Sequence, residues 1–148
     1  MATPNPEAPA SGAPGGKTSF MNLDSNVGAM LCYISYFICC LGLVLGIVFV
    51  ITEKENRFVK FHALQSIFLF VLLTALGIIL NILTAVLGLV LNMTVGFGWV
   101  AGILTWILGV ILLVIFFIFL IIGGIKAYAG QWYKLPIIGN FAWNMVNK

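Results

Sequence analysis

Three long apolar runs mark the chain, at about residues 27–51, 61–91 and 99–125. Each exceeds the roughly 20 apolar residues a helix needs to cross a bilayer core, so the pattern predicts three transmembrane helices. The second run is longer than a crossing requires and predicts tilt, a kink, or a first turn at the interface. The two connections differ. Residues 52–60 carry Glu53, Lys54, Glu55, Arg57 and Lys60, whereas 92–98 (NMTVGFG) carry no charge. The second connection reads as a tight Gly-containing turn that pairs the last two runs into an antiparallel hairpin. In the first run, Cys39-Cys40-Leu41-Gly42 is a candidate break. A continuous or kinked single span is the expectation there, and a re-entrant hairpin giving four segments is the alternative.

The flanks have other compositions. Residues 1–19 are rich in Pro, Ala, Gly and Ser and nearly lack large apolar side chains, which predicts a disordered tail. The tail does not read as a signal peptide, so the first span would act as its own uncleaved insertion signal. Residues 20–130 form the transmembrane domain. Residues 131–148 (QWYKLPIIGNFAWNMVNK) read as an interfacial tail, with Trp132 and Tyr133 suited to the headgroup level. After Pro136, the positions Ile138, Phe141, Ala142 and Met145 recur at helical spacing while Asn140, Asn144 and Asn147 take other faces. That predicts a short amphipathic helix on the membrane. The fold class is all-α, an integral membrane helical bundle.

Composition supports a lipid environment. The chain is 62% hydrophobic and 7% charged, against roughly a quarter charged in an average soluble domain. The net charge of +3 is scattered, and nucleic-acid binding needs a basic face. With three spans, Lys54, Arg57, Lys60, Lys126, Lys134 and Lys148 share a side opposite Lys17. The positive-inside rule then places the charged loop and the C-terminus in the cytoplasm. A re-entrant first segment would return Lys17 to the same side.

Small residues line each run. Gly28, Cys32, Ser35, Cys39, Gly42 and Gly46 alternate in steps of four and three and would share one face of a continuous helix. Small faces let helix backbones approach closely in lipid. The second run carries Ser66, Gly77, Thr84 and Gly88 in one sector with Asn81 at its edge, and the third carries Gly102, Thr105 and Gly109. The simplest bundle turns these faces inward. Asn81 would make an interhelical hydrogen bond or line a conduit. Cys32, Cys39 and Cys40 form no metal-ligand spacing and read as small apolar residues. No metal or cofactor is expected.

The densest chemistry lies in TEKENRFVKFHALQS, residues 52–66. It reads as a solvated cytoplasmic loop with aromatic anchors, as a docking surface for lipid headgroups or a protein, or as a catalytic His62 with Glu53 or Glu55. A histidine suits acid–base chemistry, but no nucleophile elbow or phosphate loop accompanies it.

The order NVGAMLCYISYF, then EKENRFVKFHALQSI, then KAYAGQWYKLPIIGN resembles the Tic-twenty-like family of small prokaryotic membrane proteins of unknown function. That family is distantly similar to a subunit of the chloroplast inner-envelope import translocon. The resemblance implies a multi-span helical protein whose hallmark positions are Glu53, Lys54, Glu55, Asn56, Arg57, Phe58, His62, Gln65 and Ser66, with Tyr133, Lys134, Leu135 and Pro136 in the tail. The plastid relative has four spans. If both groups lie on one membrane side, they form one candidate interaction surface. The functional expectation is a non-enzymatic scaffold or accessory subunit that packs in the bilayer with itself or a membrane partner. The alternatives are an oligomeric conduit related to translocation channels and an enzyme acting on lipid headgroups.

Overall fold

A computed structural model describes residues 16–38, 41–54 and 56–147. Residues 1–15 of the expected tail, Cys39, Cys40, Glu55 and Lys148 lie outside the described residues. Five helices follow in order: α1 Ser25–Ile34, α2 Leu41–Thr52, α3 Arg57–Val95, α4 Gly98–Tyr128 and α5 Ile138–Val146, with a 3-10 turn Ser35–Phe37 after α1.

The first apolar run is not one span. Its two helices have 10 and 12 residues, short of the roughly 20 needed to cross. The chain reverses between them. The Tyr36 ring lies where a Cβ at Gly42 would sit, and a Cβ at Gly28 would come 3.8 Å from the Phe49 ring. Past the ends of the pair, the Ser19 amide donates to Glu53 Oε1 at 2.6 Å. The run is therefore two packed helices instead of the expected continuous one, in keeping with the alternative of two segments. The cause is local. Ser35 Oγ bonds the Leu31 carbonyl at 2.5 Å and the 3-10 turn follows, while Gly42 lacks the Cβ that would keep Tyr36 away.

Among the described residues, two helices are long and apolar enough to cross a membrane, α3 and α4. At 1.5 Å per residue, the 39 residues of α3 and the 31 of α4 give lengths on the order of 58 and 46 Å. Both exceed a hydrocarbon core of roughly 30 Å. Asn56 caps α3, its Oδ1 accepting from the Val59 amide at 3.3 Å. Gly96, at φ 73°, stops α3 in the left-handed conformation that glycine adopts without penalty. Gly130, at φ 70°, does the same for α4. There the Gln131 amide bonds the Lys126 carbonyl at 2.9 Å and the Gly130 amide bonds that of Ala127 at 3.0 Å, the Schellman pattern.

The chain divides into two compact units. One comprises the described residues within Met1–Leu69 and Phe119–Lys148, and holds α1, α2, the start of α3, the end of α4, and α5. Its core includes Tyr33, Phe49, Phe58, Phe61, His62, Gln65 and Leu120. Residues 16–19, grouped with the tail by composition, are built into this unit: Thr18 is buried and its amide bonds the Leu23 carbonyl at 2.7 Å.

The other unit, Phe70–Ile118, is the hairpin of α3 and α4. The Thr84 hydroxyl bonds that of Thr105. A Cβ at Gly88 would lie 3.6 Å from the Gly98 carbonyl. Gly77, Gly102 and Gly109 depart from the expected inward packing, since a Cβ at any of them would meet nothing within 4 Å. Asn81 is exposed, and its Nδ2 bonds the Gly77 carbonyl one turn earlier at 2.8 Å. Within the described hairpin, the Asn81 bond runs along its own helix rather than across to α4.

Candidate functional site

The first turns of α3 present one inward stripe. Phe58, His62, Gln65 and Leu69 recur at steps of four, three and four, and all four are buried. The Schellman turn at Gly130 reverses the chain after α4 and brings the Gln131 carbonyl within 3.1 Å of His62 Nε2. Nδ1 of the same ring lies 3.1 Å from the Tyr33 hydroxyl. A carbonyl only accepts, so these partners assign the ring proton to Nε2, and Nδ1 accepts from Tyr33.

Aromatic rings close around this joint. Phe58 and Phe61 approach the His62 ring edge to face, at 4.7 and 5.1 Å between centroids. Trp132 lies 5.2 Å from Phe58 and 5.5 Å from Trp143. Trp132 was expected at the headgroup level. It is buried instead, because the turn of chain from Gln131 to Tyr133 directs it onto α3. Lys134 Nζ sits 4.3 Å from the centroid of the Trp143 ring, within cation–π range.

Further hydrogen bonds complete the joint. Gln65 Nε2 donates to the Tyr133 carbonyl at 3.2 Å. The Tyr36 hydroxyl donates to the Ser66 carbonyl at 3.3 Å, and Ser66 Oγ to that of Ala63 at 2.9 Å. Asn56 Nδ2 donates to Ser25 Oγ at 2.5 Å. Glu53 is 1% exposed, and its carboxylate accepts from the Ser19 and Phe20 amides and the Ser19 hydroxyl. A buried charge demands such partners.

The structure therefore brings the loop and the tail motif together, but as an interior rather than a surface. Glu53, Asn56, Phe58, His62, Gln65, Ser66 and Leu135 are buried, and of the other described members only Lys54, Arg57 and Pro136 are fully exposed, with Tyr133 and Lys134 partly so. The expectation of a solvated loop fails because the stripe on α3 needs the tail to cover it. Gly28, Cys32, Ser35, Gly42 and Gly46 are also buried, on the two arms of the hairpin and its turn rather than along one helix. Sequence reasoning missed Tyr33, Gln131, Ser19 and Ser25. Their partners lie far along the chain and only the reversals at 35–41 and at Gly130 join them. Among the described residues, no group of three or more His, Cys, Asp or Glu is placed to hold a metal ion.

The sequence profile of the magnetosome magnetite crystal formation protein family matches residues 24–142. Two UPF0132 membrane proteins of Methanocaldococcus jannaschii are similar. One is 39% identical over 127 residues, covering 86% of this chain and 92% of the relative. The other is 34% identical over 122 residues, covering 82% and 70%. A UPF0132 membrane protein of Archaeoglobus fulgidus is 32% identical over 120 residues, covering 81% and 93%. No solved structure matches the chain. These findings overturn the Tic-twenty-like resemblance: the motifs that carried it lie within the stretch matched by a different family. They also remove the basis for a translocation conduit. The motif residues build a buried joint, so their spacing reports how α3 meets the tail rather than what the chain conducts.

Proposed function

We infer the function from one premise: the chain belongs to the magnetosome magnetite crystal formation protein family. Its archaeal relatives are named as membrane proteins, and this chain is one too. Our reading is a non-enzymatic scaffold or accessory subunit that packs laterally in the bilayer, with another copy or with a membrane partner.

The observation that carries it is the use of the polar groups at 53–66. Both ring nitrogens of His62 are engaged, Glu53 is enclosed by amides, and Asn56 and Gln65 bond within the fold. A general acid or base must reach the proton it transfers, and here the reach is taken by structural partners. The family description concerns magnetite crystal formation. We do not extend mineral contact to this chain, because Glu53, the more buried of the two described acidic side chains, is spent on the Ser19 and Phe20 amides.

The hairpin supplies a lateral face. Asn81 borders a groove of about 440 Å³ that Gly77, Thr105 and Gly109 also line. Small residues and a polar side chain facing lipid are the usual components of helix association there. The charge distribution supports a cytoplasmic placement for Lys17, Lys54, Arg57, Lys60, Lys126 and Lys134 together.

Gly77→Cys and Gly109→Cys, oxidised in native membranes, test the reading. The expected result is a discrete cross-linked species of fixed mass at one or both positions. Monomer alone at both, with labelling showing the thiols reactive, overturns it.

A further inference from the structure

A groove runs between α1 and the end of α4, in the unit that also holds the His62 joint. Its two parts meet at Tyr128. The first, about 480 Å³, is lined by Asp24, Ser25, Asn26, Val27 and Tyr128. The second, about 320 Å³, is lined by Met30, Ile34, Phe37, Ile121, Gly124, Ile125 and Tyr128. Asn26, Met30 and Ile34 recur every four residues, and Ile121, Ile125 and Tyr128 recur at steps of four and three on α4, so one face of each helix forms a wall. From Asn26 to Ile34 the wall is on the order of 12 Å long.

The groove changes character along its length. At one end it is polar and electron-rich. Asp24 occupies the N-cap of α1 but makes no capping hydrogen bond with its side chain, although aspartate usually does. Its exposed carboxylate is left to the groove, and its backbone pairs with Lys17. Asn26 Oδ1 is buried and accepts from no partner. Tyr128 adds a ring face, which attracts cations. The other end is wholly apolar. Gly124 opens it: a Cβ there would sit 3.6 Å from Tyr33 Cβ and 3.8 Å from Ile34 Cγ1, in ordinary contact. The polar end lies beside the Asn56–Ser25 contact, at the charged end of this unit, and the apolar end extends toward the 3-10 turn.

We propose that this groove binds one membrane lipid with a primary ammonium headgroup. The ammonium faces the exposed Asp24 carboxylate and Tyr128, and an acyl chain lies along Met30–Ile34 and Ile121–Ile125. Charge complementarity selects this occupant, since the Asp24 carboxylate and the Tyr128 ring at one end match a cationic head and disfavour an anionic one. The inference rests on membership in a membrane protein family and not on the scaffold reading.

The test uses the full-length chain, purified and offered phosphatidylethanolamine and phosphatidylglycerol with identical acyl chains, with retained lipid counted by native mass spectrometry. The expected result is one retained phosphatidylethanolamine per chain, preferred by about tenfold. Asp24→Asn should remove the preference while a lipid is still retained. Gly124→Leu should remove retention by filling the apolar end, and free ethanolamine should not displace the lipid. If Gly124→Leu loses its helical circular dichroism, Met30→Trp narrows the same groove from α1 and is read in its place. Equal retention of the two lipids by the wild type, or a preference unchanged in both Asp24→Asn and the groove-filling variant, overturns the proposal.

Discussion

The Tyr33 hydroxyl and Nδ1 of His62 lie 3.1 Å apart across twenty-nine residues of chain. This bond ties α1 to α3 where the tail also arrives, through Gln131 on the other ring nitrogen. Tyr33→Phe strands Nδ1 in a buried site. The expected loss is about 1 kcal/mol of stability, between the membrane average for such bonds and the cost of an orphaned acceptor. A double-mutant cycle with His62→Phe, read by unfolding in mild detergent, should show coupling. Additive losses would mean the two side chains do not interact.

Tyr33 makes a second close approach, to Gly123. A Cβ there would fall 2.6 Å from the ring, so Gly123→Ala must displace it. Gly77, Gly102 and Gly109 have open space at the same position. Alanine at those sites keeps every contact and gains helix propensity of up to about 1 kcal/mol. Melting temperatures of the four variants should therefore split, with Gly123→Ala lowered and the others unchanged or raised. Equal shifts at all four would contradict the packing.

Much of the fold was legible because an apolar run needs no phase to be read as a span. Helices α3 and α4 follow from two apolar runs, with no Asp, Glu, Lys or Arg between Phe61 and Ile125. The same lack of phase hid the break in the first run. A fully apolar segment reads alike as one span or as two packed arms, and the Tyr36–Gly42 contact that decides is tertiary. The loop was misjudged for a related reason. Charges at Lys54, Arg57 and Lys60 suggested solvent, while the four-three-four spacing of Phe58, His62, Gln65 and Leu69 was the sign of a buried face. Nothing local in the sequence announces the bonds to Gln131 and Tyr133.

Glu53 holds the segment before α1. Glu53→Gln removes the charge from hydrogen bonds to the Ser19 and Phe20 amides, and charge-assisted bonds contribute about 1.5–3 kcal/mol. Limited proteolysis at residues 16–20 should accelerate in this variant. Lys54→Gln next door is exposed and should leave the rate unchanged. Equal protection in Glu53→Gln would show that the carboxylate does not hold the segment.

The antiparallel α1–α2 pair predicts a topology. Lys17→Cys and Lys54→Cys should both react with a membrane-impermeant thiol reagent from the same side of sealed vesicles, in a background lacking the native cysteines. A single crossing of residues 27–51 would place them on opposite sides.

Ile137 sits at φ 69° and ψ −61°, and the Ile138 amide bonds the Pro136 carbonyl at 2.8 Å around it. This is the positive-φ γ-turn, a strained geometry for a β-branched residue. Ile137→Gly relieves the strain and should stabilise the purified protein by about 1 kcal/mol. An exposed side chain contributes little packing to set against that gain. A lowered melting temperature would mean that the Ile137 side chain stabilises the tail more than its backbone strains it.

The scaffold reading is tested most directly by the mass of the species the chain forms in its own membrane. Complexes released from native membranes by an amphipathic polymer, without detergent, and weighed by native mass spectrometry give that mass. The account predicts one dominant species, either a whole-number multiple of the chain or the chain in fixed ratio with a partner. A single chain carrying lipid alone would contradict it.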